Sequence, residues 1–296
     1  MSTGMKIFLL ILLLLTITFY SSGCIVLVNS DYKLSDYADE IDFNDFNFYY
    51  NSDFDFNYST TENSYSVNDN ISDIEISLQS QNLNITEYDG NDIKVEIKSN
   101  RGSSSELSKS EIYNKLTFSS NHSTPKNSTI NISIPNKLAN KLSLKLTTSS
   151  GDISSSNLNP KSLTIFTASG GADLSNINSE YTSINSVSGD IDLNNMSVSS
   201  ESKINSTSGD ISSNGNLGLL YVSSTSGDID ISFKDSLKNS SLGTISGSIS
   251  LSIPEECGYK INYSTISGDI DTSKLSNGNE ESLIELKTTS GDIYIN

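Results

Sequence analysis

The residues of this 296-residue chain best suited to chemistry are six aspartates that each follow a Ser-Gly pair. They are Asp152, Asp190, Asp210, Asp228, Asp269 and Asp292. A regular column of carboxylates could hold a hard divalent cation such as Ca²⁺, and a carboxylate pair could act as acid and base on a glycosidic bond. The same side chain can also cap a turn by accepting a hydrogen bond from a nearby backbone N–H.

Two features of the sequence favour the turn-capping interpretation. The aspartates recur in most repeats, whereas glycoside chemistry needs two carboxylates at one defined separation in a cleft. The calcium-binding repeat with glycine–aspartate turns has a different unit, GGxGxDxUx, which this chain lacks. We therefore predict turn residues and no catalytic residue. No cofactor is predicted, and weak Ca²⁺ binding by the aspartate column is the alternative.

The glycine of the Ser-Gly pair marks a longer repeat. Eight glycines occupy this position: Gly151, Gly170, Gly189, Gly209, Gly227, Gly247, Gly268 and Gly291. Successive glycines are 18 to 23 residues apart, and each repeat has an apolar residue five before and two after the glycine, with Ser or Thr three before it. Glycine tolerates a left-handed φ and close approach of another backbone, so the pattern predicts a sharp structural corner.

This repeat predicts the fold class. A unit of about 20 residues with strand periodicity and no helix signal is typical of a β-solenoid, in which each coil buries its apolar face against the next. We predict an all-β fold, a single-stranded right-handed β-solenoid (β-helix) of about eight coils with stacked apolar and hydroxyl columns. A β-sandwich is the alternative, although its strands do not need the same turn string at this spacing.

The composition divides the chain into four regions. Residues 1–24 are predicted to be a signal or anchor, and residues 25–66 an acidic spacer rich in Phe and Tyr. Residues 67–146 alternate apolar and polar residues in short strands that would cap the solenoid. Residues 147–296 hold the repeats.

The N-terminus carries an export signal. Lys6 precedes the apolar run 7–19, and small residues then lead to Cys24 in the string SSGC, which resembles a lipobox. Lipid attachment at Cys24 after cleavage is one interpretation. An uncleaved membrane helix and plain secretion are the others, since residues 7–28 are about the ~20 residues needed to span a bilayer. All three place the rest of the chain outside the cytoplasm.

The remaining composition excludes several classes of function. The net charge of −18 argues against nucleic acid as a partner, because phosphates call for basic surfaces. The only histidine, His122, lies in a turn-like stretch, and Cys257 has no neighbouring histidine in the sequence. We predict a surface residue for the first and a small apolar residue for the second.

The repeated SGDI string, and the stretch TISGSISLSIPEECGYKINYSTISGDIDT (244–272) above all, resembles the putative-adhesin family of bacterial and archaeal β-strand-repeat proteins. Strands that end in Ile-Pro before the next repeat, within 133–153 and at 252–256, add to the resemblance, which covers about 67–296. It implies a β-solenoid on an exported or membrane-anchored protein, and it brings no catalytic residues.

The sequence thus predicts a non-enzymatic, surface-anchored adhesin or envelope-interaction protein whose partner is a cell-surface protein or glycan. An accessory component of an envelope-stress system is the second hypothesis, and a polysaccharide-active β-helix enzyme is the third. Because the chain stops at Asn296, three residues after Ile293 of the last repeat, we also expect an uncovered C-terminal edge that self-associates.

Overall fold

The computed structural model describes residues 59–99, 106–121, 124–255, 257–272 and 282–296. Within these residues, 21 strands and one short helix form. They are β1 (Ser59–Ser66), β2 (Asp73–Ser77), β3 (Asn82–Tyr88), β4 (Asp92–Ser99), β5 (Ser108–Ile112), β6 (Lys115–Ser119), β7 (Ser128–Pro135), α1 (Asn136–Ala139), β8 (Ser143–Thr148), β9 (Ile153–Leu158), β10 (Ser162–Thr167), β11 (Ala172–Ser186), β12 (Ile191–Asn205), β13 (Ile211–Asn216), β14 (Leu219–Ser223), β15 (Ile229–Phe233), β16 (Ser240–Thr244), β17 (Ile249–Ser252), β18 (Tyr259–Ser264), β19 (Ile270–Thr272), β20 (Ser282–Thr288) and β21 (Ile293–Ile295). The all-β prediction is confirmed.

The strands stack as rungs. In the repeat region each Ser-Gly corner joins a strand before it to a strand after it, as Gly151 joins β8 to β9, and we call the two strands a rung. The strands before the corners pair in parallel into one ladder, the back ladder, and those after the corners pair into a second, the front ladder. The long strands β11 and β12 start in the front ladder and end in the back ladder.

The described residues contain ten rungs. The back ladder runs β6-β2-β8-β10-β11-β12-β14-β16-β20-β18, and the front ladder runs β7-β3-β9-β11-β12-β13-β15-β17-β21-β19. Strands β4 and β1 extend the front ladder in antiparallel fashion, and β5 extends the back ladder in the same way. The N-terminal strands therefore belong to the same stack as the repeats.

The order of the rungs departs from the order of the sequence at both ends. The rung β6/β7 lies outside β2/β3, although it follows β2/β3 in the chain. At the other end β20/β21 pairs with β16/β17 on one side and with β18/β19 on the other. The expectation that the rung of Gly291 ends the stack is therefore wrong, and among the described rungs that of Gly268 is the outermost at this end.

The predicted apolar columns form one continuous core. Every residue five before or two after the corner glycine is no more than 3% exposed in seven of the eight repeats. The exceptions are Tyr263 and Ile270 of the β18/β19 rung, which are 43% and 39% exposed. Like positions pack on like positions from rung to rung, and the less buried rung is one for which the described residues supply a paired neighbour on one side.

A second corner, which the sequence analysis did not identify, lies six residues after the glycine. Asn157, Asn176 and Asn195 have φ between 53° and 55° there, and Gly215 takes the same place with φ 135°. Asparagine is among the few residues that adopt a left-handed conformation readily. Asn176 Nδ2 donates to Asn157 Oδ1 at 3.1 Å and Asn195 Nδ2 donates to Asn176 Oδ1 at 2.7 Å, so these side chains also link the rungs.

The corner glycines are required by contact between neighbouring backbones. A Cβ built on Gly170 would lie 2.0 Å from the carbonyl oxygen of Gly151, and one on Gly189 would lie 1.9 Å from that of Gly170. The φ angles of the eight corner glycines lie outside the left-handed region. Glycine was expected at these corners either for a left-handed φ or for close approach of another backbone, and close approach is the reason that applies.

We predict that Gly189→Ala destabilises the protein by roughly 2–4 kcal/mol, because the new methyl group would overlap a backbone carbonyl that cannot rotate away. Urea unfolding would measure the loss. Gly243→Ala is the matched control: its Cβ would meet its nearest neighbour at 3.7 Å, an ordinary contact. The control should be neutral or stabilise by about 0.4–1 kcal/mol. Equal unfolding free energies for the two variants would contradict the close-approach explanation.

Candidate binding surface

In five repeats the Ser or Thr three residues before the corner glycine accepts the N–H of that glycine. Gly170 N donates to Thr167 Oγ1 at 3.0 Å, and that hydroxyl donates to Gly170 O at 2.8 Å. Ser186 forms the same pair of bonds with Gly189. In a later rung Thr288 Oγ1 donates to Gly247 O, the corner carbonyl of the neighbouring rung. These buried hydroxyls bond the corner backbone, whereas the sequence analysis expected them to stack on one another.

The predicted aspartate column joins successive rungs. In each case an Oδ1 atom accepts the backbone N–H of the residue at the same place in the neighbouring rung. The bonds run from Gly171 to Asp152, from Asp210 to Asp190, from Asp228 to Asp210, from Ser248 to Asp228 and from Asp269 to Asp292, with N···O distances of 2.7–2.9 Å. Each of these carboxylates thus accepts a hydrogen bond from the backbone of a neighbouring corner and not from the backbone of its own corner.

The column is interrupted at Gly171. Its N–H donates to Asp152, but it has no side chain to accept the N–H of Asp190. Packing does not require this glycine, since a Cβ there would lie 3.4 Å from its nearest neighbour, Asp190 O. An open depression of about 650 Å³ lies at this point, and Ser154, Asp173 and Asp192 contribute to its lining. The missing side chain therefore leaves a notch in the acidic edge.

A second set of carboxylates points outward from the front ladder three residues after the corner glycine. Asp173 and Asp192 pair directly in adjacent rungs, and Asp230 and Asp271 occupy the same position further along. Burial, and then repulsion from Asp173, Asp190 and Asp210, raises the pKa of the Asp192 carboxyl above its ordinary value. The front edge around the notch is thus a surface of concentrated negative charge.

The aspartate column does not assemble into a metal centre in the part of the chain that the structure describes. No group of three or more His, Cys, Asp or Glu side chains lies there with the geometry to hold an ion. Each bonded carboxylate also has one oxygen engaged with a backbone N–H. Weak Ca²⁺ binding by this column stays a prediction.

The outward side of the back ladder has a different character. Phe166, Tyr181, Leu219 and Tyr221 are 45%, 50%, 36% and 48% exposed, and all point away from the core on β10, β11 and β14. We call these four residues the aromatic face. Tyr181 and Leu219 lie in one row of the ladder, two rungs apart, while Tyr221 and Phe166 lie in other rows of the same face. Exposed apolar side chains on one face make it a candidate site of interaction. The sequence analysis missed this face because the outward positions change residue type from repeat to repeat.

Amide and hydroxyl side chains continue the row of Phe166 along the back ladder. Asn205 Nδ2 donates to Asn185 Oδ1 at 2.9 Å, and Ser223 Oγ donates to Asn205 Oδ1 at 2.7 Å. Beside them Glu201 and Lys203 help to line an open depression of about 470 Å³ that includes Tyr221. The face therefore offers flat apolar rings and oriented polar groups side by side.

Three other residues were singled out in the sequence, Cys24, His122 and Cys257. Cys24 and His122 fall outside the described residues, as does the whole predicted signal, so these interpretations stay predictions. Cys257 is half-buried against the core, and its Sγ lies 3.9 Å from Asp235 O. In the described ranges the only helix is the four-residue α1, and none has the length and apolarity to span a bilayer.

We predict that Asp192→Asn stabilises the protein at neutral pH. The folded-state pKa of Asp192 is raised, so the folded protein holds this proton more tightly than the unfolded chain, and stability falls as pH rises from about 3.8 through the folded pKa. Removing the charge should therefore raise the thermal midpoint at pH 7, with a gain that shrinks toward pH 4 and in high salt.

The matched control is Asp89→Asn, which removes one charge from an exposed turn away from the carboxylate columns. It should leave the midpoint close to that of the parent protein. A gain for Asp192→Asn that does not exceed the control at pH 7, or that grows on acidification, would show that repulsion at this edge does not limit stability.

Comparison with known proteins gives distant structural similarities. No curated protein matches the chain. A crystal structure of a putative adhesin from Bacteroides fragilis NCTC 9343 is 14% identical, with 80% of this chain and 97% of that chain covered and a TM-score of 0.48. One of a putative cell adhesion protein from Clostridium sporogenes ATCC 15579 is 13% identical, with 80% and 99% covered and a TM-score of 0.31.

The family assignment rests on a longer match. Residues 71–296 correspond to the family described as Toastrack DUF4097. That range begins before β2 and runs to the last residue of the sequence, so it includes all ten described rungs. The chain belongs to the Toastrack DUF4097 family.

Proposed function

We propose that this protein is an exported, surface-anchored and non-enzymatic binding protein of the adhesin type, which contacts a cell-surface protein or glycan. The observation that carries the proposal is the aromatic face of the back ladder. Its four large apolar side chains are held outward on strands that pair with neighbours on both sides. These exposed side chains add nothing to the core of the domain itself, whereas a bound partner would bury them.

The rungs hold the face rigid. Tyr181 aligns with Glu201 and then Leu219, while Lys203 aligns with Tyr221 and then Ser241, each one rung apart. Parallel strands set this repeat at ~4.8 Å along the stack. A surface that is already ordered loses little conformational entropy on binding, so its contact energy goes into affinity.

The chemistry of the face suits a partner with both apolar and hydrogen-bonding groups. Tyrosine rings have an apolar body and a polar tip, which is why they are frequent at binding surfaces. The Asn185–Asn205–Ser223 ladder supplies donors and acceptors beside the rings. Glu201 and Lys203 bring opposite charges, so this face lacks the concentrated negative charge of the front edge.

The proposal includes the delivery of this face to the outside of the cell. Residues 1–24 would export the chain, with Cys24 as the lipid attachment site or the apolar run as a membrane helix, and residues 25–66 would separate the solenoid from the membrane. The proposal also includes the finer description of the fold as a right-handed coil with eight Ser-Gly repeats. Weak Ca²⁺ binding at the front edge belongs to the same proposal.

An array of immobilised surface glycans and surface proteins, probed with the full chain with and without Ca²⁺, tests the function. We expect at least one specific hit whose affinity drops tenfold or more, about 1.4 kcal/mol, in the Tyr181→Ala/Tyr221→Ala variant. Both side chains point away from the core, so the variant should fold normally and lose only contact area with the partner.

Tyr113→Ala serves as the control, because Tyr113 is fully outward in the β5–β6 turn and lies off the aromatic face. It should bind like the parent protein. The proposal fails if no target on the array is bound, or if the double variant and the control bind equally well. If a target requires Ca²⁺ and binds the double variant as tightly as the parent protein, the binding site lies at the carboxylate edge instead.

A further inference from the structure

Strand β1 is the outermost described strand of the front ladder at its N-terminal end. It pairs with β4 in unbroken antiparallel register, from Ser59↔Ser99 to Ser66↔Asp92, and β4 in turn pairs with β7. Among the described strands β4 is the only partner of β1. The back ladder ends one strand earlier, because β5 pairs directly with β6 of the outermost rung. Strand β1 therefore projects one strand beyond β5, where another strand can pair with it.

The composition of β1 leaves this edge without the usual protection. Open edges of natural sheets are commonly blocked by lysine, proline or a β-bulge, because unpaired N–H and C=O groups attract other strands. The sequence of β1, STTENSYS, has no lysine or proline and a single charged residue, Glu62, and its register with β4 contains no bulge. By contrast, β5 has Lys109 and Glu111 among its five residues. Of the two outermost strands at this end, β1 is the better acceptor of a further strand.

Asn63 near the middle of β1 has an unused hydrogen-bond donor. Its Nδ2 atom is buried and lacks a hydrogen-bond partner, as only one other buried side-chain atom of the described residues does. Elsewhere in the stack asparagines that face each other on neighbouring strands bond to each other, as Asn84 Nδ2 does to Asn131 Oδ1 at 2.8 Å. A strand with an asparagine opposite Asn63 would satisfy this donor in the same way, and a second copy of β1 is such a strand.

We propose that two copies of the chain associate by antiparallel pairing of their β1 strands about a two-fold axis beside Asn63. A two-fold axis perpendicular to the sheet makes the facing strands antiparallel and gives both copies the same contacts. Asn63 of one copy then lies opposite Asn63 of the other. Thr61 of each lies opposite Tyr65 of the other, and a β-branched residue opposite an aromatic one stabilises a sheet. The inference concerns self-association and stands apart from the proposed binding of a surface ligand.

Charge selects this register over the neighbouring one. Directly opposed residues point to the same face of a sheet, so the axis has to lie beside a residue and not between two residues. An axis beside Glu62 would pair as many residues of β1, but it would set two carboxylates directly opposite each other, which is unfavourable. With the axis beside Asn63, Glu62 of one copy lies opposite Ser64 of the other. The register about Asn63 is therefore the one that we expect.

Sedimentation velocity of the full chain over a concentration series tests the association. The parent protein should dimerise, and Asn63→Asp should raise the dimer dissociation constant at least tenfold, because it sets two carboxylates opposite each other at the axis. Ser110→Asp is the matched control, since it adds the same charge to an exposed position of β5 at the same end of the stack. It should dimerise like the parent protein. A parent protein that stays monomeric, or equal association of the two variants, overturns the proposal.

Cross-linking checks the register without depending on a charged variant. In a background with Cys24 and Cys257 changed to serine, Asn63→Cys and Thr60→Cys are oxidised separately. The axis places residue 63 directly opposite its own copy, within the Cα distance that a disulfide spans. It places the two copies of residue 60 about 20 Å apart along the strands. We expect several-fold more disulfide-linked dimer from Asn63→Cys. Equal yields, more dimer from Thr60→Cys, or no dimer from either variant contradicts the proposed pairing.

Discussion

The structure depends on how closely the backbones of successive rungs approach at the Ser-Gly corners. The glycine carbonyl of one rung occupies the space that a Cβ of the next would need. This contact fixes the register, and with it the buried Ser or Thr that bonds the corner backbone and the aspartate that accepts the next rung's N–H. Once the register is fixed, the apolar columns align and the outward side chains form rows. The alignment of rows on both ladders thus follows from a contact at one edge.

That regularity separates the two outer surfaces chemically. The carboxylates lie along the front edge, where repulsion among Asp173, Asp190 and Asp192 is part of the cost of the repeat. The aromatic face lies on the other ladder, where ring stacking and amide bonds can act with little interference from that charge. Like charges at close spacing are tolerated at the edge because each bonded carboxylate gains a backbone donor in return. A chain with a net charge of −18 can therefore still present a surface of low charge density.

Much of the fold could be predicted from the sequence, because equivalent positions of the repeat share a column. The buried positions around Gly170 and Gly189 followed directly from their spacing. The order of the rungs did not, because SGDI strings are interchangeable and say nothing about which rung lies next to which. The corner at Asn157 was hidden in an asparagine-rich composition, and the aromatic face was hidden because Phe166 and Tyr181 occupy different outward positions. Periodicity identifies what is common to all repeats, whereas the proposed binding function rests on residues that differ between them.

The insertion of β20/β21 between two earlier rungs has a consequence for the way the chain folds. During synthesis, residues 240–272 emerge before residues 282–296, so the segments that form β16/β17 and β18/β19 are made before the strands that separate them. Vectorial growth from the N-terminus therefore cannot complete this end of the solenoid one rung at a time. The pairing of β16 with β20 joins segments that are not adjacent in the sequence, and non-local pairing is comparatively slow. A stack that looks like a simple series of coils thus cannot form in the order of its sequence.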